Sequence, residues 1–126
     1  MSSKGKPYRT VAIDGWEVLV GRGADDNDYL TFEVADPGDL WMHVGDTPGS
    51  HVVVRNPAGG EVPKEVVSKA AQLTAWYSKA RGARTVQVDY CSVADVSKAK
   101  RAPAGEVELR RFRSIKVQPS RLEPDD

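Results

Sequence analysis

The chain has 126 residues, 40% hydrophobic and 29% charged, with 18 basic and 18 acidic side chains and a formal net charge of zero. By size this is one domain with enough apolar material for a core of its own, which excludes a disordered or fibrous chain. The single cysteine, Cys91, excludes an internal disulfide and a multi-cysteine zinc site, and it fits a reducing, cytoplasmic compartment.

The zero net charge conceals an asymmetry. Residues 1–63 carry five basic and ten acidic side chains, residues 64–121 thirteen and five, and residues 122–126 three acids, giving stretches of −5, +8 and −3. A basic second half points to an anionic partner, unless the two halves neutralise each other in the fold. The polar start, with Lys4, Lys6 and Pro7, is followed by no apolar run, so a secretory signal is not expected. Nor does any stretch approach the roughly 20 apolar residues of a membrane span.

Tyr8–Ile13 and Trp16–Val20 alternate about Asp14-Gly15, a pair that primed hairpin turns demand. Residues 21–28 form a glycine-rich acidic loop. They lack the Gly-Lys-Ser/Thr ending of a phosphate loop and the terminal Glu of an EF-hand, so turn chemistry is the expected role. Leu30, Phe32 and Val34 alternate with Thr31 and Glu33 and predict a third strand.

Asp39–Val44 is the most unusual stretch. Alternation puts Leu40, Met42 and Val44 on a core face and Asp39, Trp41 and His43 on the other, an acid, an aromatic and an imidazole in a row. Asp46-Thr47-Pro48-Gly49 then turns the chain into Ser50, His51 and an apolar strand over Val52–Val54. Such a hairpin would bring His43 and His51, the only two histidines, towards one edge. Each could equally be a hydrogen-bonded structural residue.

After a loop at Asn56–Gly60, Pro63 and Glu65 suit the first turn of a helix. Val66, Ala70, Leu73, Tyr77 and Ala80 recur at helical steps, widened by Val67 and Ala71, and predict about 18 residues stopped by Gly82. A second stripe holds Lys69, Gln72, Trp76 and Lys79; Trp76 reads as an edge-of-core residue or as a base-stacking one. A strand over Val86–Tyr90 follows. Cys91–Gly105 is too polar and broken for another, and it gathers Lys98, Lys100 and Arg101, cations that could track a phosphate backbone. Glu106–Gln118 reads as a strand interrupted near Arg111-Phe112-Arg113. A bend there would turn Arg110, Arg111, Arg113 and Lys116 outward near Phe112.

Taken together, Val20-Gly21-Arg22, Asn27-Asp28, Leu30-Thr31, Asp39-Leu40-Trp41-Met42-His43-Val44 and Pro48-Gly49-Ser50-His51-Val52 resemble the signature of the NFACT-R family of RNA-binding domains. Ala70-Ala71, Tyr77-Ser78, Lys98, Pro103, Gly105-Glu106-Val107, Ile115-Lys116-Val117 and Pro119 follow in the family's order. The resemblance spans Ile13–Pro119 and implies binding of tRNA or ribosomal RNA in ribosome-associated quality control, with the large ribosomal subunit as a further partner. It also implies a stand-alone form, since the glycosylase-like domain, helix-hairpin-helix elements and coiled coil of full-length members have no counterpart here.

The expected architecture is α+β, one domain over residues 1–126 with its core at about 8–119 and flexible tails. Its sheet would be mostly antiparallel and twisted, with about six to seven strands and one long helix on one face. The expected function is RNA binding without chemistry or cofactor. Candidate contacts are Arg22, Asn27, Trp41, His43, Ser50, His51, Lys69, Trp76, Lys79, Lys98, Lys100, Arg101, Arg110, Arg111 and Arg113. Two alternatives stand beside it. One is an enzyme using Asp39, His43 and His51 as metal ligands or acid-base groups, although four residues along a strand separate Asp39 from His43 by roughly 13 Å. The other is a module that docks on a ribosome or protein without touching RNA.

Overall fold

Asp14 and Gly15 both adopt positive φ, 50° and 87°, the left-handed pair that a two-residue primed turn requires. They join β1 (Tyr8–Ile13) to β2 (Trp16–Gly21) in the expected hairpin. The structure is a computed structural model and describes residues 6–122. The expected flexible ends lie outside the described residues at 1–5 and 123–126.

The acidic loop and the strand expected at Leu30–Val34 are replaced by one helical segment. Helix α1 (Ala24–Tyr29) runs into a wide turn over Leu30–Val34, closed by the Ala35 N–H donating to the Leu30 carbonyl at 2.9 Å. The alternation misleads because Leu30 and Val34 lie four residues apart and satisfy helical spacing equally well. Asp25 and Asp26, in the first turn, suit the positive end of the helix. The turn points Leu30 and Thr31 inward, where both are buried.

Strand β3 (Leu40–Val44) and β4 (Val52–Val54) follow, then α2 (Lys64–Trp76), β5 (Val86–Ser92), a single 3-10 turn over Val93–Asp95, β6 (Val96–Ser97), β7 (Glu108–Leu109) and β8 (Arg113–Val117). The main sheet is antiparallel in the order β1-β2-β4-β3-β5-β8, while β6 and β7 form a separate ribbon. The class is thus α+β as expected, with three corrections. The single interrupted strand at 106–118 is two strands in two different sheets, and the bend between them leaves Arg111, Phe112 and Arg113 exposed. The polar stretch after Tyr90 contributes the end of β5 and all of β6.

The third correction concerns α2, which has 13 residues in place of about 18, so the one long helix is a shorter one, and α1 stands as a second helix where a loop was expected. It ends early because its continuation pairs elsewhere. The Tyr77 carbonyl accepts from Ser50 N–H at 2.9 Å, Lys79 N–H donates to the Pro48 carbonyl at 3.0 Å, and Gly49 and Ser78 bridge. A Cβ on Gly49 would lie 2.7 Å from that of Ser78, so this approach needs glycine. Val66, Ala70 and Leu73 remain on the buried stripe of α2.

Alternation gives the sheet two unlike faces. One carries Val18, Val20, Met42, Val44, Val52, Val54, Val86 and Val88 against α2 and forms the main core. Each such side chain, fully buried, contributes on the order of 1.5–3 kcal/mol. The other face carries Leu19, Trp41, Val53 and Cys91, covered by Leu30 and by Val93 and Val96 beside the ribbon. That cover stops short of His43 and Asp89, which belong to the same face.

Candidate nucleic-acid interface

His43 and His51 stand opposite each other, one step beyond the Met42–Val52 pair, with ring centroids 5.1 Å apart. Their surroundings differ. His51 is wholly buried. Its Nδ1 lies 2.9 Å from Thr31 Oγ1 and its Nε2 lies 3.2 Å from the Gly105 carbonyl, while Trp41 Nε1–H donates to the same Thr31 oxygen at 3.2 Å. An indole N–H only donates and a carbonyl only accepts, so the Thr31 hydroxyl donates to Nδ1 and the proton of His51 sits on Nε2. Burial, with the neighbouring His43 second, pushes the His51 pKa down to about 4. His51 is therefore a neutral tie between the sheet and the loop that holds Gly105.

That loop is fixed from the other side too. Asp28 accepts from Gly105 N–H at 3.1 Å and pairs with Lys98 at 2.9 Å, and Lys98 also donates to the carbonyls of Pro103 and Glu106. Gly105 has φ 84°, and a Cβ there would meet Ala24 at 3.3 Å. Asn27, buried, accepts from His51 N–H at 3.0 Å and donates to the Gly49 carbonyl at 3.3 Å; Ser50 Oγ donates to the Gly21 carbonyl at 2.6 Å. Two loops, 45–50 and 104–106, are thus held as the walls of a groove.

The groove has a volume of about 730 Å³, with His43, Arg22, Lys79 and Arg81 among its lining residues and Asp46 and Glu106 as its acids. His43 is partly exposed there, its ring 5.9 Å from that of Trp41 and tilted by 33°. Burial holds its pKa below 6.5, opposed by the Asp89 carboxylate and by a hydrogen bond with the Gly49 backbone.

Several expected contacts have other roles. Trp41 is 1% exposed and Asn27 and His51 are buried, so none offers a surface to a base. Asp39, also buried, accepts from Asn56 N–H at 2.7 Å and from Asp36 N–H at 2.9 Å and pairs with Arg55 at 2.8 Å. With Asp39 turned away and both His51 nitrogens engaged, the Asp39/His43/His51 enzyme lacks its parts. Among the described residues no group of three or more His, Cys, Asp or Glu side chains could hold a metal ion.

Lys98 is committed to the loop, Arg110 pairs with Asp95 at 2.9 Å, and Lys69 pairs with Asp14 at 3.1 Å in an exposed bridge. Trp76 is partly buried beneath the guanidinium groups of Arg81 and Arg121, 4.8 and 5.7 Å from its ring centre. Lys100, Arg101, Arg111 and Arg113 are exposed but do not line the groove. Of the expected residues the structure gathers Arg22, Asn27, His43, Ser50 and Lys79 at the groove. Arg81 was not foreseen, because the helix was expected to continue through it to Gly82. The early end of α2 is what carries it to the 45–50 loop.

The family model for the NFACT protein RNA binding domain matches residues 6–111. The chain is 40% identical over 116 residues to the Rqc2 homolog RqcH of Streptococcus suis and 36% over 121 residues to that of Bacillus subtilis, covering 91% and 92% of the chain. It spans 21% of the length of each of those relatives. It is also 30% identical over 101 residues to the Drosophila melanogaster ribosome quality control complex subunit NEMF homolog, covering 80% of the chain and 10% of that protein. A solved structure, the C-terminal part of the fibronectin/fibrinogen-binding protein of Streptococcus suis, superposes with a TM-score of 0.84 at 39% identity, over 93% of this chain and 47% of that one. Among the described residues no helix is long and apolar enough to cross a membrane.

Proposed function

The chain belongs to the NFACT protein RNA binding domain family, and on that premise we propose that it binds tRNA or ribosomal RNA through the groove that His43 lines. The family is one of RNA binding, not of catalysis. The observation that carries the location is the convergence of Arg22, just before α1, with Lys79 and Arg81, just after α2, on one groove whose walls are fixed. Cations anchor the phosphate backbone, and rigid walls keep the ordering cost of binding low.

The ribosome quality control name of the Drosophila melanogaster relative supports a partner in translation; contact with the large ribosomal subunit and a cytoplasmic setting belong to the same proposal. Lys100 and Arg101, exposed on the loop that supplies one wall, are further candidate phosphate contacts in this reading.

The test is a fluorescence titration with total tRNA across a salt series. Each phosphate contact adds somewhat less than one unit to the fall of log affinity with log salt. A slope of several units, reduced by about one in Lys79→Ala, supports the reading. Tight binding independent of salt, or no binding at low salt, contradicts it. Ribosome association that survives high salt and RNase treatment would favour protein docking instead.

A further inference from the structure

We propose, building on the RNA-binding reading, that the groove receives a single unpaired nucleotide, its base lying on the His43 imidazole and its phosphate on the side of Arg22, Lys79 and Arg81. At about 730 Å³ the open groove has room for a nucleotide.

The partly exposed His43 ring packs beside Trp41 at 5.9 Å, tilted by 33°, and beside His51 at 5.1 Å, nearly perpendicular, so its position is preset rather than ordered on binding. A fixed aromatic face beside cations is how sequence-tolerant recognition of unpaired bases works. Asp46 and Glu106 add a second indication. Carboxylates in a groove made for bare phosphate would oppose the ligand, whereas beside a base they accept from its amino group. The walls need no rearrangement, since Ser50 and Lys79 backbone bonds hold one and the His51 and Asp28 bonds to Gly105 hold the other.

Having only two histidines makes the test direct, because each gives its own ring resonance in a proton NMR spectrum. The full chain is titrated with a mixed-sequence single-stranded RNA hexamer and, separately, with a blunt RNA duplex carrying the same sequence. The expected result is that the hexamer shifts the His43 signal and leaves that of His51 in place, while the duplex shifts neither. His43→Ala then weakens hexamer binding about tenfold, as loss of one stacked base does, and His43→Tyr restores it. If both RNAs bind with the His43 signal unmoved, the nucleotide pocket is wrong and RNA binding itself stands. If neither RNA binds at low salt, the RNA reading fails as well. The wild-type shift decides the question even where a His43 variant does not fold.

Discussion

The two faces of the sheet are built from the same strands and end in different uses. Against α2, the central strands present an unbroken apolar face from Val18 to Val88. On the opposite face the same alternation gives Leu19, Val53, Trp41 and Cys91 a lid of Leu30, Val93 and Val96, but the lid ends before His43. The difference shows where the proposed site lies in this fold: at the margin of the second, smaller core, where a buried polar network passes into an open groove.

The sharpest way to break the comparison is a pair of substitutions two residues apart. Trp41→Ala empties the covered end and should cost about 3–5 kcal/mol in urea denaturation. His43→Ala, at the open end, should change stability by less than about 1 kcal/mol and weaken RNA instead. Equal losses of stability would mean that the face has no open end.

Acid probes the buried network next. The His51 imidazole titrates at 6.5 when unfolded and at about 4 when folded, so between those values the unfolded chain holds the extra proton. Stability is therefore complete above about pH 6.5 and falls as pH drops towards 4, by up to about 3 kcal/mol. Thermal melts of wild type and His51→Asn should converge on acidification; a constant gap would refute a neutral His51.

The smallest expected effect separates two cations on one loop. Lys98→Ala removes an ion pair and two carbonyl contacts and should cost about 1 kcal/mol. Lys100→Ala should leave stability within about 0.5 kcal/mol while lowering RNA affinity. The opposite ranking would make Lys100 the brace and Lys98 the contact.

Local rules were legible where one residue type has one use. Asp14-Gly15 specified its turn, and Leu40, Met42 and Val44 specified their face. Legibility failed where a pattern serves two structures or where distant segments compete. Leu30 and Val34 fit both periods, and only the packing of Thr31 on Trp41 and His51 selects the helical one. The end of α2 depends on Ser50 and Pro48, some 30 residues away. The row Asp39, Trp41 and His43 was correctly singled out as unlike a solvated face. Its division into two buried braces and one groove residue required the lid, whose parts come from residues 30–31 and 93–109.

The most direct measurement compares two charge-matched variants in the same tRNA salt titration. Arg22→Ala/Lys79→Ala/Arg81→Ala strips the groove, and Arg111→Ala/Arg113→Ala/Lys116→Ala strips the same charge from the sheet edge at β8. The groove variant should lose about two to three units of salt slope and most of its affinity, and the edge variant under one unit. A larger loss in the edge variant, with the groove variant binding as wild type, would move the RNA off His43 and contradict the account.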